Sequence, residues 1–206
     1  MRKGDQTRAL ILDGAAALAS EVGLEGLSIG TLATRLGLSK SGLFAHFGSK
    51  EDLQLQTLKW VQDQFEERVF RPSMEAPRGI ARLRALFVNW LAWTQKNPQP
   101  GSCVILSAAG EYDGRPGPIR EFLVAGQREL RGAIAKAVRI AIDEGELRPG
   151  SDPWQVAYEL FAVVLAAHYD RHLLEDARVS DRAAKAFERV LAAYSLPAQR
   201  LTTRAL

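Results

Sequence analysis

The chain has 206 residues, of which 47% are hydrophobic and 25% charged, so it can bury a substantial core and has the composition of a globular protein. Its formal net charge of +3 permits an anionic partner without requiring one, and the single cysteine, Cys103, excludes an intrachain disulfide bond and a four-cysteine metal site. The most apolar stretch, 160–167, is much shorter than the roughly 20 residues of a membrane-spanning helix, and the sequence starts without the apolar segment of a signal peptide, so we expect a cytoplasmic protein with no membrane partner.

The first 48 residues are predicted to form three short helices. The first ends at Gly23 and carries an apolar stripe with the spacing i, i+4, i+7, i+11, formed by Ile11, Ala15, Leu18 and Val22. Ser28 begins the second helix. Gly37 ends it, at the C-terminal position that favours the left-handed backbone conformation. The third helix is expected to begin after the N-cap Ser39 and to run to about Ala45.

Longer helices follow. Ser49, with Asp52 three residues later, resembles a capping box and begins a helix that Pro72 is expected to stop. Further helices are predicted over 77–96, from about 102 to the loop at 113–118, and over 118–144, 153–175 and 180–194, the last of them capped by Ser180. No stretch alternates as a strand would. The predicted fold class is therefore all-α, with about nine helices and with a small N-terminal module (1–48) on a larger helical bundle (49–206).

Residues 32–44 have the layout of a helix-turn-helix motif, because two short helices meet at a Gly-containing turn. In such a motif the second helix lies in the major groove, and its N-terminal residues contact base edges. Lys40 can reach guanine acceptors or a phosphate, and Gly42 has no side chain to hold the backbone away from DNA. Two small hydrogen-bond donors, Ser39 and Ser41, flank Lys40.

The same segment must also bury one face. Leu43 and Phe47 are expected to anchor the second helix of the motif on the first one. The N-terminus of the following helix offers free backbone N–H groups and the cation of Lys50 to a phosphate oxygen. Lys40 and Lys50 alone also fit an ordinary helical corner with solvated side chains. The spacing of residues over the whole segment must therefore distinguish a DNA-binding motif from such a corner.

The run LSIGTLATRLGLSKSGLFAHFGSKEDL (27–53) resembles the DNA-binding signature of TetR-family transcriptional regulators, and the resemblance extends over about residues 5–55. It implies a dimeric regulator with an N-terminal three-helix DNA-binding domain and a C-terminal all-α domain that dimerises and binds a small molecule. By position, the resemblance places a DNA-facing set at Ser28, Ser39, Lys40, Ser41, Gly42, Phe44, His46 and Lys50.

Two members of this set are ambiguous. The family usually has a Tyr in place of Phe44, and the Tyr hydroxyl commonly contacts a phosphate. The absence of that hydroxyl leaves either weaker DNA binding or a purely structural role for the Phe44 ring. His46 is either a phosphate donor or a residue that fills the helix end.

The helix over 154–175 is apolar nearly all round in its middle, so it must be covered on more than one side. The last helix is apolar on one side only, along Ala183, Phe187, Val190, Leu191 and Tyr194. The resemblance implies that these two helices pair with their copies in a four-helix homodimer interface. Packing within the chain is the alternative for the residues of the stripe.

Aromatic side chains concentrate in the larger domain, and Trp90 and Trp93 share one helix face. Each of them fits an ordinary core position, but together they predict an apolar, aromatic-lined cavity with a few polar groups for a small-molecule effector. The candidate ligand-binding residues are Trp60, Trp90, Trp93, Cys103, Phe122, Gln127, Phe161, His168 and Tyr169.

His168 and His172, at i and i+4, place two imidazoles on one helix face, but the sequence identifies no third metal ligand. We expect pocket or interface histidines rather than a metal site, and no cofactor. No nucleophile–base–acid set or phosphate-binding loop appears, so no enzymatic activity is expected. The leading hypothesis is a repressor released from a near-palindromic operator in double-stranded DNA by a small hydrophobic or aromatic effector. The alternatives are a helical sensor or enzyme whose N-terminal module docks a protein, and an architectural DNA-binding protein.

Overall fold

A computed structural model describes residues 3–96 and 101–196. Within these ranges the chain is helical, and its β-type pairing is limited to one isolated bridge between Leu147 and Ser195, which confirms the all-α prediction. The helices are α1 Lys3–Gly26, α2 Ile29–Leu36, α3 Lys40–Phe47, α4 Lys50–Phe65, a π-helical turn Glu66–Phe70, the single turn α5 Arg71–Met74, α6 Ile80–Lys96, α7 Val104–Tyr112, α8 Pro118–Asp143, α9 Pro153–His172 and α10 Val179–Tyr194.

Local capping explains the bounds of α2 and the start of α3. The Ser28 hydroxyl accepts a hydrogen bond from the N–H of Thr31 at 3.1 Å, and the Thr31 hydroxyl accepts one from the N–H of Ser28 at 2.9 Å. Gly37 ends α2 in the left-handed region with φ 65°, and Ser39 caps α3 as predicted. α3 continues two residues beyond the expected end, to Phe47.

The first helix has a kink at Gly23, where φ is 79° and ψ is 163°. Ile11, Ala15 and Leu18 are buried, but the assignment of Val22 to the apolar stripe is wrong, because its side chain is 50% exposed. After the kink, Leu24 and Leu27 fill the core at this end of the helix.

The expected stop at Pro72 is also wrong. The helix from Ser49 widens into the π-helical turn, in which the N–H of Arg71 bonds to the carbonyl oxygen of Glu66, five residues back. Pro72 then lies in the first turn of α5, where its missing N–H costs no hydrogen bond. The capping at Ser49 is one-sided: its hydroxyl accepts from the N–H of Asp52, whereas the Asp52 carboxylate accepts from Gln56.

Three further helix ends differ from the sequence expectations. α6 begins at Ile80 rather than at residue 77, because the Glu146 carboxylate accepts from the N–H of Ile80 at 2.6 Å. α9 ends at His172 rather than at residue 175. Ser180 does not cap α10; its hydroxyl accepts hydrogen bonds from Gln95 and Arg171. The predicted break over 97–101 lies outside the described residues except for its last position.

Aromatic rings pack against one another in the core of the larger helical bundle. Phe87 on α6 stacks on Phe187 of α10 with the ring centroids 4.0 Å apart, and Trp90 contacts Phe65 edge-on at 5.2 Å. Ala183, Phe187 and Leu191 are buried within the chain, so this part of the α10 stripe serves the core and not an interface. None of the described helices has the length and apolar character needed to cross a membrane.

Candidate DNA interface and effector cavity

One face of α3 is buried and the other is presented to solvent. Leu43 and Phe47 are 1% and 0% exposed, so they anchor the helix as predicted. The guanidinium of Arg8 on α1 lies 5.3 Å from the Phe47 ring centroid and donates to the carbonyl oxygen of His46. α1 therefore fixes the C-terminal end of α3 and leaves its N-terminal end free to face a partner.

The exposed end of α3 consists of small polar groups around a cation. Ser39 accepts a hydrogen bond from the N–H of Gly42 at 3.1 Å, and Ser41 lies 3.4 Å from the Ser39 hydroxyl. A Cβ atom at Gly42 would lie only 3.0 Å from the Ser39 oxygen. The ammonium of Lys40 extends over the first turn of α2, 3.8 Å from the place of a Cβ atom at Gly30, and the described carboxylates form no ion pair with it.

Lys50, the other predicted phosphate-binding cation, is engaged. Its ammonium lies 2.8 Å from the Glu25 carboxylate, which also accepts a hydrogen bond from the Tyr112 hydroxyl at 2.8 Å and lies 3.4 Å from Arg115. The hydrogen bonds from Lys50 and Tyr112 hold the pKa of Glu25 below its ordinary value. Glu25 therefore competes with a phosphate for the ammonium of Lys50.

Of the remaining residues of the DNA-facing set, Phe44 and His46 lie on α3, and Ser28 caps α2. Phe44 is 56% exposed, so its ring does not lie in the core. His46 is half-buried, with its ring centroid 6.1 Å from that of Phe47. Ser28 is half-buried at the start of α2, where its hydroxyl serves the capping box.

A cavity of about 200 Å³ lies among α4, the π-helical turn, α6, α7 and α8. Five of the predicted ligand-binding residues line it, namely Trp90, Trp93, Cys103, Phe122 and Gln127. Sequence reasoning missed several others, among them Gln62, Phe65, Glu66, Phe70, Leu106 and Glu129. The first three follow one another at i, i+3 and i+4, a spacing that marks one helix face and was visible in the sequence.

Four predicted ligand-binding residues do not line this cavity, and each has another environment. The indole N–H of Trp60 donates to Asp13 on α1 at 2.9 Å. Phe161 is buried under the guanidinium of Arg131, 4.3 Å from its ring centroid, and Tyr169 is 59% exposed. The fourth, His168, packs near the C-terminal end of α9 with its ring centroid 4.8 Å from that of His172.

The His168–His172 pair is the only candidate that the sequence offered for a metal. Burial, and secondarily the nearby His172, lower the pKa of His168 to about 4, so its imidazole is neutral near pH 7. Across residues 3–96 and 101–196, no group of three or more His, Cys, Asp or Glu side chains is placed to hold a metal ion. The third ligand that the sequence failed to identify is thus also missing from the described structure.

α7 connects the cavity to the N-terminal helices. Ile105 and Leu106, in its first turn, line the cavity. At its other end, the Glu111 carboxylate accepts hydrogen bonds from the N–H groups of Leu24 at 3.0 Å and Glu25 at 2.9 Å, directly after the kink of α1. No local sequence pattern signals this contact, since the two hydrogen bonds join residues that are 87 and 86 positions apart in the chain.

A second attachment lies just before α7. The N–H of Gly101 donates to the Ser20 hydroxyl at 3.1 Å, and the N–H of Ser102 donates to the Ser20 carbonyl oxygen at 3.1 Å. Both ends of α7 are therefore hydrogen-bonded to α1, which in turn holds α3.

Comparisons with known proteins match this architecture. Residues 11–57 match the family described as "Bacterial regulatory proteins, tetR family", and residues 79–187 match "Tetracyclin repressor-like, C-terminal domain". The HTH-type transcriptional regulator YezE of Bacillus subtilis (strain 168) is 26% identical over 140 residues, which cover 68% of this chain and 72% of that protein.

Solved structures agree over nearly the whole length. A TetR transcriptional regulator from Chloroflexus aurantiacus J-10-FL is 29% identical and superposes with a TM-score of 0.82, covering 93% of this chain and 96% of that one. AibR, solved in complex with isovaleryl coenzyme A and operator DNA, shares the fold at 23% identity with a TM-score of 0.71, covering 91% and 97% of the two chains.

Proposed function

We propose that this chain, which belongs to the TetR family, is a repressor that a small hydrophobic or aromatic effector releases from a near-palindromic operator. Membership of this family makes it a DNA-binding transcription factor and not an enzyme. Residues 1–48 would form the DNA-binding domain and residues 49–206 the effector-binding and dimerisation domain, with the helix from Ser49 joining them. The observation that carries this proposal is the exposed N-terminal end of α3, with its unpaired Lys40, above the buried anchors Leu43 and Phe47. Such a regulator would act in the cytoplasm.

DNA recognition would use the end of α3 in the major groove. Lys40 would contact guanine acceptors or phosphate, with Ser39, Ser41 and Gly42 allowing a close approach of the backbone. The outward-facing Phe44 ring would contact DNA through apolar contacts, because it has no hydroxyl to donate. Ser28, His46 and Lys50 would contact the phosphate backbone on either side.

Specificity would come from a homodimer. α9 presents a row of exposed apolar side chains at helical spacing, formed by Trp154, Tyr158, Leu165 and Tyr169, which are between 40% and 61% exposed. A patch of this kind on a regulator of this family is suited to a second copy of the chain, which would bury it. The two copies of α3 would then read two half-sites about 34–36 Å apart, or a multiple of that distance.

Effector control would pass through α7 and α4. AibR was solved with both isovaleryl coenzyme A and operator DNA, so a protein with this fold can accommodate both a small molecule and DNA. Here the cavity wall includes Ile105 and Leu106 on α7, whose far end holds α1 through Glu111 and Tyr112. An effector that favours another position of α7 would lower operator affinity by its differential binding energy and by no more than that.

Replacing Glu25 by glutamine is expected to raise operator affinity in the absence of effector by about two- to five-fold, the factor that corresponds to releasing Lys50 from an exposed ion pair. The measurement is a fluorescence-anisotropy titration with operator DNA at low salt. Glu21→Gln is the matched control, because Glu21 on the same helix pairs with Arg35 and does not touch Lys50. An unchanged or lower affinity of Glu25→Gln would mean that the ion pair with Glu25 does not limit contact between Lys50 and the operator.

The function itself is tested by letting the protein select fragments of genomic DNA and sequencing those it retains. A repressor of this kind should select a near-palindromic site and bind it with an affinity that falls steeply with salt concentration. A module that docks a protein would select no DNA sequence. An architectural protein would bind duplexes without sequence preference and would not respond to small molecules.

A further inference from the structure

The charged groups of the cavity point to the chemical class of its ligand. Of the described residues that line it, only Glu66 and Glu129 are acidic, and none is Lys, Arg or His. Resting on the proposed function, we propose that the effector is a lipophilic organic cation, with its apolar body in the aromatic cavity and its positive charge beside Glu66 and Glu129.

Neither carboxylate is neutralised by another described residue. Glu66 and Glu129 are both exposed, and neither forms an ion pair or side-chain hydrogen bond with any described residue. The neighbouring Glu67 differs, because it pairs with Arg71 at 2.7 Å and does not line the cavity. The cavity thus presents two unpaired negative charges, which attract a cation and repel an anion.

The aromatic walls favour the same class of ligand. Phe65, Phe70, Trp90 and Phe122 line the cavity, and aromatic ring faces attract cations. The guanidinium of Arg68 lies 5.9 Å from the ring centroid of Trp93, another lining residue, a distance at which an aromatic ring attracts a cation. Arg68 itself is exposed and is not among the lining residues.

The wall also contains a buried polar group, the indole N–H of Trp93, whose hydrogen-bonding capacity is poorly satisfied within the described structure. Among the described groups, the buried indole N–H of Trp93 has only the sulfur of Cys103, a weak acceptor, within reach, and the residue is 5% exposed. Burial raises the pKa of the neighbouring Cys103 thiol, so this wall provides no thiolate that would accept the hydrogen bond as an anion. A ligand with an uncharged acceptor, such as an ether or carbonyl oxygen, would satisfy Trp93.

The volume limits the size of the apolar body. An apolar cavity of about 150 Å³ is known to hold benzene, so about 200 Å³ accommodates one substituted ring. Phenyltrimethylammonium and tert-butylbenzene have the same shape and differ in the central atom, which carries the positive charge in the first compound. The pair isolates the contribution of the charge.

The experiment measures binding of both compounds, and of the anion 3-phenylpropionate, to the full-length protein by quenching of tryptophan fluorescence at low salt. We expect phenyltrimethylammonium to bind about ten-fold more tightly than tert-butylbenzene, and the anion to bind most weakly. The double variant Glu66→Gln with Glu129→Gln should lose this preference while still binding tert-butylbenzene. Glu67→Gln is the matched control and should retain the preference.

Equal or tighter binding of tert-butylbenzene or of 3-phenylpropionate overturns the proposal, as does a double variant that keeps the preference for the cation. Failure of the cation to bind at millimolar concentration overturns it as well. The selection of genomic DNA described above requires no effector. A protein that selects an operator but shows no preference for the cation therefore remains a regulator with another class of effector, whereas a protein that selects no DNA loses its proposed function.

Discussion

Replacing Lys40 by alanine is expected to lower operator affinity by at least about 30-fold, because one charged contact to a base or phosphate contributes about 1–3 kcal/mol and a dimer loses it twice. The fold should persist, since Lys40 is exposed and the anchors Leu43 and Phe47 remain in place. The measurement is a titration of the selected operator by gel shift, with circular dichroism to verify the helical content. Lys136→Ala, an exposed lysine on α8, is the control and should bind as the unaltered protein does.

The same variant distinguishes the two roles open to Lys40. If Lys40 contacts a base, binding to the operator should weaken more than binding to unrelated duplex DNA. If it contacts phosphate only, both should weaken to the same extent and the salt dependence should become shallower. Unchanged operator affinity would remove α3 as the reading helix, and with it the proposed DNA interface.

Replacing Gly101 by alanine is expected to lower the free energy of unfolding by about 2–4 kcal/mol, through overpacking and the loss of two hydrogen bonds. A Cβ atom at this position would lie 2.0 Å from the carbonyl oxygen of Ser20 and 2.4 Å from its carbonyl carbon. Backbone atoms cannot rotate away as a side chain does, so the start of α7 would have to separate from α1. The hydrogen bonds from Gly101 and Ser102 to Ser20 would then break.

The measurement is urea denaturation of both proteins at the same concentration, because a dimer's stability depends on concentration. Gly110→Ala is the matched control: Gly110 lies inside α7, and a Cβ atom there would have no neighbour within 4 Å. That variant should gain about 0.5–1 kcal/mol from the higher helix propensity of alanine. A Gly101→Ala protein as stable as the unaltered one would show that α7 does not need this close contact with α1.

Features set by neighbours in sequence were predictable, and features set by distant contacts were not. Ser28, Gly37 and Ser39 act through hydrogen bonds and backbone angles within a few residues, so the boundaries of α2 and the start of α3 followed from the sequence. Pro72 obeys the same local rules, but the π-helical turn before it moves the proline into a new first turn. No local pattern announces that turn.

The candidate sites divide in the same way. Trp90 and Trp93 share a helix face, so their presence in one cavity could be expected. Trp60 was misplaced because its hydrogen-bond partner, Asp13, lies 47 residues away, and the pairing of Lys50 with Glu25 spans 25 residues. Contacts over such separations depend on how the helices pack. That packing also determines which apolar residues of α9 and α10 are buried and which stay on the surface.

The π-helical turn over Glu66–Phe70 has an evolutionary consequence. A turn of this kind corresponds to one extra residue in an α-helix, and each residue rotates the chain by about 100°. Deleting a single residue there would restore an unbroken helix and rotate Phe70 and Arg71 relative to Phe65, so that one wall of the cavity would change without any substitution. Descendants of this chain that gain or lose that residue would acquire a different ligand preference in one step, faster than by exchanging wall residues one at a time.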